Sequence, residues 1–163
     1  MNTRFVINGL SPTKPYQTID TNKIAKKQFG FTHNSLSALA KIFGFEPKLG
    51  TSFDLWKRCV NGEDEALAYM SEYNKRDVFL LEEVYLKLRP WIKNHPNIGL
   101  FIDTNNPVCP ACGSEDLTWN SYYMTAVSKF PAFQCNACGA VGRGRTSVVD
   151  KDKRKNLAIS VVR

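Results

Sequence analysis

The sequence predicts an α/β chain in two unequal parts, a helical stretch to about Lys93 and a small β module from about Asn106. Three observations carry that reading. Apolar residues in the first part recur at three- and four-residue intervals, the periodicity of helices with one buried face. Near residues 95–106 the text changes, and NHPNIGLFIDTNNP leads into Cys-, Gly-, aromatic- and Thr/Ser-rich segments with turn signals. Four of the five cysteines then fall in two CxxC pairs within the second part.

Composition sets the outer limits. With 43% hydrophobic and 23% charged residues among 163, the chain has the make-up of a globular protein, which excludes disorder as a global description. No run approaches the roughly 18 to 20 apolar residues that a bilayer span needs. MNTRFVINGL lacks the apolar core of a secretory signal, so an intracellular, cytoplasmic chain without a membrane partner is expected. Net charge is +7, from 22 Lys plus Arg against 15 Asp plus Glu, with a pI near 9.2. That balance favours a polyanionic partner, DNA or RNA first.

Taken in order, Tyr16 to Asp20 reads as a short strand or extended entry, with Thr21 capping a helix from about Asn22 to Phe29. Asn34 or Ser35 opens SLSALAKIFG, where Leu36, Leu39, Ala40 and Phe43 keep helical spacing and Gly44 is the C-cap. Thr51 or Ser52 opens a third helix with Leu55, Trp56, Cys59 and Val60 on its apolar side, ended by Asn61-Gly62. The longest helix spans about Glu63 to Leu88, with Met70, Tyr73, Asp77, Leu80, Leu81, Val84 and Leu88 along one face, and Pro90 stops it. The apolar island Ile98 to Ile102 is a short strand or a docking point for the second part.

Asp77 is a carboxylate inside an apolar stripe. It follows Tyr73 by four residues, which puts the two side chains on one face with Cβ atoms roughly 6 Å apart. In metal-assisted phosphoryl chemistry such a carboxylate holds a divalent ion while the phenol orients the attacking water. The plain alternative is a packed tyrosine beside a surface aspartate.

The segments IDTNKIAKKQFGFTHNSLSALAKIFG and LWKRCVNGEDEALAYMSEYNKRDVFLLEEVYLKLRPWI resemble the C-terminal half of DnaQ-like 3′ to 5′ exonucleases of the DEDDy type, in the RNase H-like superfamily. The resemblance is most specific in NSLSALAKIFG and YNKRDVFLLEEVY and covers about residues 1–95. It implies a partial RNase H-like exonuclease fold, mostly the helical C-terminal half, with Asp77 as metal ligand and Tyr73 as the water-orienting phenol of the third motif. Mg²⁺ or Mn²⁺ is the cofactor it implies, and Asp20 matches a supporting acidic residue near the site. RFVINGLSP resembles the end of the helix after the second motif, which places the family's Asp-x-Glu pair and second Asp outside this sequence. Glu63, Asp64 and Glu65 lie at a helix start, where the helix dipole accounts for them.

One carboxylate and one phenol cannot hold two hard cations, which need several oxygen ligands each. The resemblance therefore implies a chain inactive by itself and completed by a partner that carries the other carboxylates, or alternatively a decayed product or a half-fold reused as a binding module. Half of such a fold leaves apolar helix faces uncovered, at about 25 cal/mol per Å² exposed. A complementing chain or a homo-oligomer is expected.

Cys109-Pro-Ala-Cys112 and Cys135-Asn-Ala-Cys138, separated by 22 residues, have the spacing of a four-thiolate zinc site. Gly113 and Gly139 follow each pair, where a knuckle needs positive φ. A redox pair or two disulfides fit poorly without a βαβ context or secretion signal. LTWNSYYMTA, KFPAFQC and CGAVGRGR read as strands, and the pattern over residues 106–146 resembles a zinc ribbon with structural zinc, followed by a basic tail at 147–163. Trp119, Tyr122, Lys129, Arg143 and Arg145 are the candidate nucleic-acid contacts, pairing rings for base stacking with cations for phosphates. The alternative is that the aromatics, Tyr123, Phe130 and Phe133 included, only build the ribbon's core. Cys59 reads as a buried small hydrophobe, His33 as a turn residue and His95 as an exposed linker residue.

Overall fold

The computed structural model describes residues 2–14 and 16–161. Six α-helices and one antiparallel sheet are found among them: α1 (Asn2–Ile7), α2 (Thr21–Gln28), α3 (Leu36–Phe43), α4 (Phe53–Val60) and α5 (Asp64–Leu88), then β1 (Leu117–Met124), β2 (Lys129–Cys135), β3 (Val141–Arg143) and α6 (Lys151–Lys155). All helices but α6 precede the sheet.

Local chemistry fixes the helix ends. Ser35 and Ser52 cap α3 and α4, their hydroxyls accepting from the N–H groups of Ala38 and Leu55 at 3.3 and 3.2 Å. The cap of α2 is Asp20, which accepts from Lys23 N–H, and Thr21 is instead its first residue. At the C-termini of α1, α3 and α4 a positive-φ glycine, Gly9, Gly44 and Gly62, closes the same pair of hydrogen bonds. In α3 these are Phe45 N–H to the Ala40 carbonyl and Gly44 N–H to Lys41.

The helical core gathers Ala25, Leu39, Val84 and Leu88, all buried, under Ile24, Leu36 and a run of aromatic rings. Trp91 meets Phe29 edge-on at 5.4 Å, Phe29 stacks on Phe31 at 5.1 Å, and Phe43 links Phe31 to Phe45. Each fully buried leucine or valine contributes roughly 1.5–3 kcal/mol, so α2, α3 and the second half of α5 hold one another. Leu81 departs from the expected face and is exposed. The apolar side of α4 departs further: it buries no residue, and Phe53, Trp56 and Val60 face solvent.

Two other expectations change. Tyr16 to Asp20 pairs with no strand among the described residues, so it is an entry segment and not a strand. Ile98 to Phe101 forms a 3-10 turn and serves as the docking point. There Ile98 N–H bonds the Pro110 carbonyl at 2.9 Å, and the Ile98 and Ile102 side chains lie where a Cβ on Gly113 would sit. His95, expected in solvent, is half-buried: its Nε2 lies 2.6 Å from the Tyr85 hydroxyl and its Nδ1 2.7 Å from the Pro96 carbonyl.

The sheet runs β1-β2-β3, with Tyr122 opposite Pro131, Tyr123 opposite Phe130 and Phe133 opposite Gly142. A register shift between Thr118 and Ser121 bulges β1. The tail residues 151–155 form α6, capped by Asp150. No helix among the described residues is long and apolar enough to cross a membrane.

Candidate functional site

The two cysteine pairs sit on knuckles with one shared backbone pattern. Cys109 N–H bonds the Ser114 carbonyl and Gly113 N–H bonds Cys109, while Cys135 N–H bonds Ala140 and Gly139 N–H bonds Cys135, all at 2.8–2.9 Å. Gly113 and Gly139 take the matching positive φ values of 81° and 78°. A side chain there is strained, which is why glycine follows each pair.

Folding brings the four sulfurs within 4.8 Å of one another. Cys109 Sγ is 3.7 Å from Cys138 Sγ, and Cys112 Sγ is 3.6 Å from Cys135 Sγ. A regular tetrahedron with Zn–S bonds of about 2.3 Å has edges of about 3.8 Å, so the donor set fits a zinc ion, as in a zinc ribbon. All four are free thiols. Burial pushes the Cys138 thiol up to about 12, with the neighbouring sulfurs adding to it. At Cys135 burial is outweighed by the N–H groups of Cys138 and Ala137 and by the Cys112 sulfur, and the thiol falls to about 7. Four thiolates this close repel one another, and a doubly charged ion is what would let all of them ionise together.

On the sheet beyond the knuckles, the candidate contact residues divide between core and surface. Phe133 is buried against Trp119, ring centroids 4.9 Å apart, and its ring fills the space over Gly142. Tyr122, 54% exposed, carries the Lys129 ammonium 3.8 Å from its ring centroid. The Arg143 guanidinium covers Phe130 at 4.1 Å and Tyr123 at 5.4 Å on the opposite face. Arg145 is exposed. Trp119 is therefore half core and half surface, whereas Tyr122 and Tyr123 are surface rings already paired with cations.

Tyr73 and Asp77 share a face of α5, and a residue that sequence reasoning missed lies between them. Lys48 Nζ is 2.8 Å from Asp77 Oδ2, 3.4 Å from the Tyr73 hydroxyl and 5.5 Å from the Tyr73 ring centre. Hydrogen bonding to Asp77 holds the Lys48 ammonium above the ordinary lysine value of 10.5, against the opposing effect of burial. The loop bearing Lys48 is strapped to α5 twice more, by Glu46 to Arg76 at 2.7 Å and by the Tyr69 hydroxyl to the Gly50 carbonyl at 3.0 Å. No periodicity marks a lone loop lysine, so only the fold reveals it.

Tyr73 and Asp77 do not by themselves fit a divalent cation. Asp77 offers one carboxylate, with one oxygen taken by Lys48, and hard cations need several oxygen donors. Among the described residues the four cysteines are the one cluster of three or more His, Cys, Asp or Glu placed to hold an ion. Asp20 is engaged in capping α2. Cys59 is half-buried, its thiol donating to the Ala66 carbonyl at 3.3 Å, and it is not a member of the cysteine cluster. His33 is exposed.

In comparisons with known proteins, the chain matches no family model, no curated protein and no solved structure.

Proposed function

We propose that the chain is the C-terminal part of a 3′ to 5′ exonuclease, inert alone and completed by another chain that carries the remaining carboxylates. Its zinc ribbon is the part that grips single-stranded DNA or RNA. The observation that carries this reading is the state of Asp77, side by side with Tyr73 as the exonuclease resemblance requires. Its Oδ1 is shut off from solvent and has no hydrogen-bond partner among the described residues. Enclosed carboxylate oxygens are seldom left unpaired, and a group supplied by a complementing chain would satisfy this one, which supports the reading. Exposed Val78 and Phe79 on the same helix supply the kind of apolar flank a partner would cover.

Lys48 favours a second reading, a binding module without catalysis, because its ammonium already neutralises Asp77. One experiment separates the two. The zinc-loaded chain with Mg²⁺ or Mn²⁺ leaves a 5′-labelled single strand intact. Adding the product of a neighbouring reading frame that carries an Asp-x-Glu strand yields shortening from the 3′ end, and Asp77→Asn abolishes it. Degradation by the chain alone, or a reconstituted activity indifferent to Asp77→Asn, contradicts the first reading. Strand binding with no activity in any mixture leaves the second.

A further inference from the structure

Trp91 stands where the helical part meets the zinc module, just past the end of α5, with 52% of its surface exposed. Three clefts open around its indole. One of about 260 Å³ lies between residues 89–95 and the two knuckles, with Arg89, Lys93, Ala111 and Ala140 in its walls. Trp91 lines this cleft together with a second of about 270 Å³, which adds Lys23 and Lys27 of α2, and a third of about 550 Å³, which adds Lys87. Gln17 and Asn94 also line the second cleft, where the Gln17 side chain donates to the Asn94 carbonyl.

The charge around this indole is one-sided. Lys23, Lys27, Lys87, Arg89 and Lys93 line the clefts against two carboxylates, Asp20 and Glu83. Of these cations, Lys23 alone makes an ion pair among the described residues, a loose one of 4.0 Å to Asp20. Arg89 Nε is withdrawn from solvent and has no hydrogen-bond partner among the described residues. Folding has thus gathered an excess of cations, four of the five without an ion pair among the described residues, around an exposed indole, which stabilises the fold little and suits a ligand with a flat ring and negative charge on either side. Val141 of β3 lines the first cleft, and Arg143 ends the same strand two residues on.

We infer that this seam is a nucleotide subsite on the path of a single strand: a base stacks on Trp91 while its flanking phosphates lie against Lys23, Lys27, Lys93 and Arg89. The inference rests on the nucleic-acid reading of the zinc module and extends it to a surface that spans both parts of the chain. Neither Trp91 nor these cations belong to the Tyr73 and Asp77 cluster.

The test is anisotropy of fluorescein-labelled oligothymidylate with the zinc-loaded full chain across a salt series, comparing three variants. The Lys23→Gln, Lys27→Gln, Lys93→Gln triple removes exposed charges and leaves the core alone, so its thermal midpoint stays that of the wild type. It should lower the salt slope by about 2, three phosphate contacts at about 0.7 each on a single strand. Trp91→Phe keeps the edge contact to Phe29 and shrinks the stacking surface, with an expected loss of about fivefold in affinity. Arg143→Ala reports on the ribbon. A strand carrying 5-bromouracil should also photocrosslink to Trp91. Weakening by Arg143→Ala with the triple variant unchanged in affinity and slope, and crosslinks confined to residues 117–145, overturns the seam subsite and leaves the ribbon reading standing. No association of the wild type at micromolar concentration and low salt overturns both.

Discussion

Lys48 and Asp77 each keep only about a quarter of their side-chain surface exposed, 24% and 26%, so their attraction is screened far less than that of a surface pair. Removing either partner leaves the other charge partly withdrawn from water without compensation. Lys48→Met should cost roughly 1–2 kcal/mol, below the 3–5 of a fully buried pair because some solvent remains. The Lys48→Met, Asp77→Asn double variant should lose clearly less than the sum of the single losses in urea titrations. Strict additivity would show that the contact is incidental. The pH dependence has a definite sign. A lysine whose value is raised on folding contributes stability that is fully present below 10.5 and lost as pH climbs through the raised value. The difference between wild type and Lys48→Met should be flat from neutral pH to about pH 10 and shrink above it, as measured by denaturation at stepped pH. None of this was visible in the sequence, because Lys48 lies in a loop 25 residues before Tyr73 with no pattern joining them. The Tyr73 and Asp77 pairing was visible, since four-residue spacing on a helix leaves no other geometry.

At the scale of elements, the ends were easier to foresee than the coverage. Ser35, Ser52, Gly44 and the glycines after each cysteine pair act through backbone geometry, and that geometry is local. Ser35→Ala should cost about 1 kcal/mol by freeing the Ala38 N–H at the start of α3, measurable by thermal denaturation. Coverage depends on distant chain. The stripe of Leu55, Trp56, Cys59 and Val60 was rightly helical, yet periodicity reports a face and not its occupant, and Val60 is 88% exposed. The 3-10 turn at Ile98–Phe101 was missed as a turn because a short run of four apolar residues around Gly99 carries no period. Its docking can be tested at Gly113, where an added Cβ would come 2.5 Å from Ile102 at a φ of 81°. Gly113→Ala should expose residues 96–106 to limited proteolysis. Cleavage no faster than in the wild type would show that Ile98 and Ile102 do not anchor the segment.

For the whole molecule, the central claim is that residues from about 107 to 146 owe their order to one zinc ion held by four thiolates. A three-stranded sheet with few buried side chains has little apolar core of its own, while structural zinc contributes on the order of 10 kcal/mol or more. The helical part has an independent aromatic core around Phe29, Phe31, Phe43 and Phe45. Chelation should therefore abolish amide protection in the sheet and leave α2, α3 and α5 protected, and acidification should do the same as protons displace the metal. Uniform loss of protection along the chain would mean that the two parts fold as one. The cysteine spacing made this centre legible before any coordinates, because four thiols at fixed short intervals serve few other purposes in a chain of this composition. The most direct measurement is metal content joined to cobalt substitution on protein purified without chelator. One zinc per chain is predicted, replaced by Co²⁺ with the intense visible bands of a tetrahedral thiolate site, both lost when Cys109 and Cys135 are changed to Ser. Protein free of zinc with all four thiols reactive, or a cobalt spectrum of octahedral character, would contradict the account.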